Sequence, residues 1–153
     1  MHPDKYSEQL ADNLGKVLDA NKDKRVVVVG TPCTGKSTFL RYIKNAYDMD
    51  ELIFPKLSKE ERDYVCRTPW NEQIGEKMNK LVKESIMIER GKPVFGTVLL
   101  DSDMIVYLRI SDYLLKERTS LRGDSYTDAK NMQAAIEREV KKSSVPCIDF
   151  LVG

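Results

Sequence analysis

The sequence predicts an α/β protein: a three-layer sandwich in which a mostly parallel sheet of about five strands carries helices on both faces. Two observations lead to this prediction. A β-branched run at 25–29 is followed directly by a glycine-containing loop and a helical pattern, as in strands of a buried parallel sheet. Further strand-like and helix-like segments then alternate to the end of the chain. At 153 residues, the chain is expected to form one domain, 1–153.

The first half of the chain is expected to contain three helices and two strands. Apolar residues recur at helical spacing over 4–20, 38–45 and 71–89. The run 25–29 is the first strand, and a short apolar stretch at 52–55 is the candidate second strand.

Two strand-like runs, 93–100 and 104–110, are separated by only three residues. A parallel crossover normally needs a dozen or more residues. Either the first run stops near 96–97 and 98–103 form a short return, or the two runs form an antiparallel hairpin. We favour the short return, because the other elements fit a parallel sheet.

The last part of the chain is predicted to be helix, helix and strand. Ser111-Asp112 fits the cap of a helix over 113–121, and apolar spacing indicates a second helix over 129–141. The stretch 147–152 closes the chain as a strand.

The loop after the first strand carries the strongest functional signal. Gly30 and Gly35-Lys36-Ser37 satisfy G-x-x-x-x-G-K-[ST], a phosphate-binding motif. Its glycines let backbone amides approach a phosphate, its lysine reaches the β- and γ-phosphates, and its serine hydroxyl binds Mg²⁺. The predicted nucleotide-binding residues are Gly30, Thr31, Pro32, Cys33, Thr34, Gly35, Lys36, Ser37 and Thr38.

Composition limits the class of protein. The 25 Lys and Arg residues nearly balance 24 Asp and Glu residues, which argues against a nucleic-acid surface. There is no apolar run long enough for a membrane span and no signal-peptide core, so no membrane association and a cytoplasmic location are expected. Three scattered cysteines and one histidine form neither a disulfide framework nor a zinc pattern.

A second region gives a resemblance to a known superfamily. Ile105-Val106-Tyr107-Leu108-Arg109-Ile110-Ser111 is followed by Leu115-Lys116-Glu117-Arg118 and by Leu121-Arg122-Gly123-Asp124. This order resembles the lid region of P-loop nucleoside and nucleoside-monophosphate kinases, the group that includes adenylate kinase-like and deoxynucleotide kinase-like proteins. With the phosphate loop, the resemblance covers about 25–45 and 94–152. It implies a P-loop kinase-like fold, ATP and Mg²⁺ as cofactors, and a small lid at about 118–128.

The resemblance also implies catalytic roles. Lys36, Arg118 and Arg122 are expected to stabilise the transferring phosphoryl group, which needs cations around it. Many superfamily members carry an acidic residue at the end of the third strand, where this chain has Gly or Thr. Asp101 is therefore the candidate catalytic acid and, with Ser37, the candidate metal ligand, although Asp103 is also near.

The acceptor is expected to bind between the loop helix and the third strand. In that segment Arg67 could hold an acceptor phosphate and Trp70 could stack on a base. A small-molecule nucleotide or nucleoside is the expected acceptor.

The sequence therefore predicts an ATP- and Mg²⁺-dependent phosphotransferase acting on a nucleotide or nucleoside. Two alternatives stay open. One is a kinase for a hydroxyl or modified base in a polynucleotide, or for a small metabolite. The other is a regulatory or assembly module that binds nucleotide without catalysis, which the missing strand-end acid motivates. The polar segment 120–128 is predicted to be the most mobile interior part of the unliganded protein.

Overall fold

The computed structural model describes residues 5–153 and confirms the α/β class, with a five-stranded, all-parallel sheet. The strand order is β2-β3-β1-β4-β5. The strands are β1 (Val26–Val29), β2 (Tyr47–Asp48), β3 (Val94–Gly96), β4 (Met104–Arg109) and β5 (Cys147–Leu151).

Within the described residues, seven α-helices accompany the sheet. They are α1 (Lys5–Ala20), α2 (Lys36–Tyr42), α3 (Met49–Ile53), α4 (Lys59–Val65), α5 (Glu72–Ser85), α6 (Asp112–Arg122) and α7 (Tyr126–Lys142). A 3₁₀ turn, Phe54–Lys56, follows α3. Polar side chains at the N-caps of α4 to α7 accept hydrogen bonds from backbone N–H groups that the helices leave unpaired. Residue 4, which was expected to begin the first helix, lies outside the described range.

The four valines of β1 contribute side chains to the hydrophobic cores on both faces of the sheet. Val26 and Val28 belong to a core shared with α1, α2 and α6, whereas Val27 and Val29 belong to a core shared with α3 and α5. Successive side chains of a strand point to opposite faces, so this fully buried strand is the centre of the three-layer sandwich. No helix within residues 5–153 has the length and apolarity needed to cross a lipid bilayer.

The second strand lies earlier than the sequence predicted. The stretch 52–55 is not a strand: Ile53 ends α3 and is buried with Met49 from the same helix. The second strand is the two-residue Tyr47–Asp48, which pairs with β3 on the side away from β1. It is too short to show any periodicity. Asp48 caps α3 by accepting the N–H of Asp50. The sheet edge therefore passes directly into a capped helix.

The long helix predicted to reach residue 89 ends at Ser85. Ile86 and Ile88 are buried while Met87 between them is 89% exposed. This alternation with a period of two is that of extended chain. The chain then turns through Gly91, whose φ is +75°.

The chain passes from β3 to β4 through residues 97–103 without a helix, and β1 lies between the two strands. Both are parallel to β1, so the short return is confirmed and the hairpin is excluded. The register explains how so short a connection suffices. Gly96 is level with Val29, and Val29 with Tyr107, so the chain returns only to Met104, about 10 Å along the sheet.

The residues of this crossover alternate in burial. Val98, Leu100 and Ser102 are buried, whereas the odd-numbered residues from 97 to 103 are more exposed. The segment thus lies across the face of the sheet in an extended form. Asp101 and Asp103 belong to the more exposed set. They contact Arg25 at the edge of the sheet where β1 begins.

Candidate active site

The loop between β1 and α2 turns through two residues with positive φ. Gly35 has a φ of +93° and Cys33 has a φ of +72°. Residues other than glycine rarely adopt such backbone conformations. A Cβ at Gly30 would lie 3.0 Å from the Cβ of Leu108 and 3.1 Å from the Oγ1 of Thr34. The glycines therefore allow both the turn of the loop and its close seating on β4.

Lys36 lies over this loop with its charge incompletely compensated. Its Nζ donates to the carbonyl oxygens of Gly30 at 2.8 Å and Thr31 at 2.6 Å. Burial lowers the pKa of Lys36 to about 8, and the carboxylate of Asp50 acts in the opposite direction. Among the described residues no carboxylate forms an ion pair with it, and the buried hydroxyl of Thr31 lacks a hydrogen-bond partner. An anion seated in the loop would stabilise the charged ammonium.

Two aspartates that the sequence analysis missed lie in the same cleft. Asp48, at the end of β2, and Asp50, in the first turn of α3, both line the cleft that contains Lys36 and Ser37. Burial, and then the neighbouring Asp48 carboxylate, raise the pKa of Asp50, while Lys36 lowers it. The sequence signal was an Asp-x-Asp at the start of a helix that follows an edge strand. The prediction of a strand at 52–55 hid it.

Arg118 and Arg122 both reach the loop from α6, and their spacing of four residues puts them on one face of that helix. Arg118 Nη1 donates to the carbonyl oxygen of Cys33 at 2.9 Å, and Arg122 Nη1 lies 3.4 Å from the sulfur of Cys33. Arg122 also forms an ion pair with Asp124. The predicted lid, 118–128, is helical except for residues 123–125, because α6 continues to Arg122 and α7 begins at Tyr126. Its mobility stays a prediction.

Asp101 does not lie in this cleft, and its predicted role as catalytic acid and metal ligand is corrected. Its carboxylate pairs with Arg25 at 3.0 Å, and Asp103 pairs with the same guanidinium at 3.0 Å. Arg25 precedes β1, whereas Ser37 follows its far end. The acids and the serine are therefore at opposite edges of the sheet, because the helix-free crossover carries Asp101 away from the loop.

A second cavity adjoins the loop cleft, and only one of the two predicted acceptor residues lines it. Trp70 lines this cavity. Arg67 lines neither the cavity nor the cleft; its guanidinium lies over the ring of Tyr64, 5.3 Å from the centroid. The side chain at the end of β3 that borders both spaces is that of Thr97.

The donors in the cleft suit Mg²⁺, a cation that prefers oxygen ligands. They are the hydroxyl of Ser37 and the carboxylates of Asp48 and Asp50. Residues 5–153 contain no group of three or more His, Cys, Asp or Glu side chains that could hold a metal alone.

No protein-family profile matches the chain. No curated protein matches it either.

Proposed function

We propose that this protein is an ATP- and Mg²⁺-dependent phosphotransferase. The observation that carries the proposal is the convergence of Lys36, Arg118 and the Asp48–Asp50 pair on one glycine-bearing loop, at the carboxyl edge of a parallel sheet. Ligands of open α/β sheets bind at this edge. Phosphoryl transfer requires cations around the moving group and an acid or base at the acceptor, and both kinds of side chain are present.

Each side chain has a role that its position supports. Lys36 would bind the β- and γ-phosphates in exchange for the carbonyls that it now contacts. Ser37 and Asp48 would hold Mg²⁺, which neutralises charge between those phosphates. Asp50 borders both the cleft and the adjoining cavity, and from there it would orient an acceptor hydroxyl and take its proton. Arg118, and Arg122 beside it, would stabilise the transferring group.

The acceptor would be a small molecule that carries a hydroxyl group. The resemblance to nucleoside and nucleoside-monophosphate kinases makes nucleosides and nucleotides the first class to examine. Nearly balanced charge argues against a polynucleotide acceptor. A cytoplasmic location, where ATP and Mg²⁺ are available, forms part of the proposal.

The experiment that tests the proposal is turnover of Mg-ATP by wild type and by Lys36→Ala, with Lys44→Ala as the matched control. Lys44 is exposed and does not line the cleft. Lys36→Ala should lower kcat by about a thousandfold, because it removes the cation at the β- and γ-phosphates. Lys44→Ala should retain activity. Undiminished turnover in Lys36→Ala would refute the mechanism.

A nucleotide-binding module without catalysis is the second candidate. The position of Asp101 and Asp103 at the far edge favours it, since the acid expected at the third strand is absent from the cleft. The release of ADP in the presence of an acceptor distinguishes the two candidate functions. A module would bind Mg-ATP with micromolar or weaker affinity and release no ADP with any acceptor, whereas the proposed enzyme releases ADP in step with phosphorylated product.

A further inference from the structure

The cavity beside the loop cleft has features that select an acceptor. It measures about 410 Å³, within the range of small-molecule sites. Pro32, Asp50 and Thr97 line both this cavity and the loop cleft. A molecule in the cavity would therefore present a hydroxyl group at Asp50, next to the γ-phosphate of a nucleotide in the loop.

Much of the cavity wall is apolar and includes an aromatic ring held by a glycine. Trp70, Phe54, Met132 and Ile136 contribute to the wall. A Cβ at Gly75 would lie 2.6 Å from Cζ2 of Trp70, so the bare backbone of α5 at this position lets the indole pack against it. Such a wall favours a ligand with an apolar, ring-bearing body.

The charges of the cavity are predominantly negative. Its carboxylates are those of Asp50, Glu72, Glu76 and Glu139, and its cations are Arg138 and Lys142. Arg138 is paired with Glu72. In the described part of the chain, no ion pair engages Glu76 or Glu139.

A phosphate or carboxylate on the acceptor would meet this surplus of negative charge. Proteins usually bind such groups with arginine forks or clustered lysines. Among the described residues that line this cavity, the cation without an ion pair is Lys142, which is exposed at the wall. Arg67, the residue expected to bind an acceptor phosphate, lies elsewhere.

We propose, on the basis of the proposed phosphotransfer, that the acceptor is a small hydroxyl compound with an apolar, ring-bearing body and no anionic group. In the reaction, the acceptor oxygen bonds to the γ-phosphorus, and the bond from phosphorus to the bridging oxygen of ADP breaks. ADP leaves with that electron pair, and the hydroxyl proton passes to Asp50. Among nucleosides and nucleotides, this class includes the nucleosides and excludes their monophosphates.

Binding to the cavity can be measured without turnover, because Trp70 is the single tryptophan of the chain. Quenching of its fluorescence should be recorded with matched compounds: nucleosides against their 5′-monophosphates, and aromatic alcohols that carry an amine, no charge or a carboxylate. We expect the uncharged and cationic members to bind at least about tenfold more tightly than their anionic partners. Equal or tighter binding of the anionic members, or no quenching by any member, would overturn the proposal.

Two variants test whether the carboxylates of the cavity cause the preference against anionic compounds. The double variant Glu76→Gln/Glu139→Gln should reduce the preference against anionic members severalfold, because it removes two unpaired negative charges. Glu84→Gln is the matched control, since Glu84 lies on the same helix as Glu76 but outside the cavity. An unchanged preference in the double variant would show that the carboxylates do not select the acceptor.

Binding of a non-hydrolysable ATP analogue with Mg²⁺ to wild type and to Lys36→Ala separates this inference from the proposed function. If the wild type fails to bind the analogue, the phosphotransfer proposal itself fails. If it binds the analogue, and quenching of Trp70 shows that a monophosphate binds more tightly than its nucleoside, the acceptor inference alone fails.

Discussion

Each edge of the sheet has a basic side chain beside two aspartates, Arg25 at the amino edge and Lys36 at the carboxyl edge, yet the two groups are arranged differently. At the amino edge, Arg25 is paired with Asp101 and Asp103, each at 3.0 Å. At the carboxyl edge, the partners of Lys36 among residues 5–153 are two backbone carbonyls and a threonine hydroxyl, although Asp48 and Asp50 line the same cleft. The amino edge is a closed set of ion pairs, and the carboxyl edge is open.

The pKa shifts at the two edges run in opposite directions. The hydrogen bonds from Arg25 lower the pKa of the Asp103 carboxyl, so both partners are held in their charged forms. Burial lowers the pKa of Lys36 to about 8 and raises that of Asp50, so both groups are pushed toward their neutral forms. The two edges carry similar side chains. In the described part of the chain, Arg25 is paired with its two aspartates, whereas Lys36 is not paired with Asp48 or Asp50. Only the carboxyl edge would be stabilised by a ligand that brings phosphates and a cation.

The arginines of the two edges should differ most in their effect on turnover. Arg118→Ala should lower kcat by roughly a hundred- to a thousandfold, because it removes a cation that contacts the loop at Cys33. Arg25→Ala should leave kcat per folded molecule within about twofold, since Arg25 contacts only the far edge. Steady-state kinetics, with circular dichroism to count folded molecules, makes the comparison. Equal losses in the two variants would remove Arg118 from the mechanism.

The aspartates give the next largest contrast. Asp50→Asn should lower kcat about a hundredfold, because an amide cannot accept the acceptor proton. Asp101→Asn should have no such effect, since Asp101 is paired with Arg25 and is otherwise exposed. Single-turnover measurements with Mg-ATP separate chemistry from product release. A loss confined to Asp101→Asn would mean that the crossover approaches the loop in the active state.

The lowered pKa of Lys36 makes nucleotide binding dependent on pH. Unliganded Lys36 loses its proton as the pH rises through about 8, whereas a bound triphosphate favours the ammonium form. Affinity for an ATP analogue should therefore fall by up to about tenfold per pH unit above pH 8, with proton uptake on binding. Calorimetry in two buffers of different ionisation enthalpy measures that uptake. Lys36→Arg should abolish it, because a guanidinium stays charged; an affinity that is constant above pH 8 would contradict the assignment.

The smallest effect is expected on stability at the amino edge. The folded pKa of Asp103 lies below its unfolded value, so its contribution to stability is present above the unfolded pKa and is lost as the pH falls through the folded one. Asp103→Asn should lower Tm slightly at neutral pH, and this difference should shrink in acid and in high salt. Glu84→Gln is the control. A difference that grows in acid would show that the carboxylate is not the source.

The sequence was sufficient for those features that depend on local pattern. The glycine-bearing loop is defined by residue types at fixed spacing, and its place after β1 follows from four consecutive valines. The arrival of Arg118 and Arg122 at the loop follows from a capped helix after a buried strand. The loop spans a few neighbouring residues, whereas the contact of Arg118 with Cys33 also needs β4 to lie beside β1.

The rest depended on the path of the chain in space. The two-residue β2 exists because it pairs with β3, and nothing local indicates it. The alternating burial of 97–103 looks like a continuation of the strand, although the segment lies across the sheet. The position of Asp101 therefore required the strand order, and the acids of the cleft could be recognised only after β2 was placed.

The helix-free crossover also limits how the chain can change in length. Its even-numbered residues are buried and its odd-numbered residues are more exposed, with Leu100 turned in and Asp101 turned out. Removing or adding one residue here would exchange the two sets, so that a carboxylate entered the core and a leucine faced water. Changes of two residues would preserve the parity. Insertions and deletions in this segment should therefore be tolerated in pairs, while the polar turn at 123–125 accepts single ones.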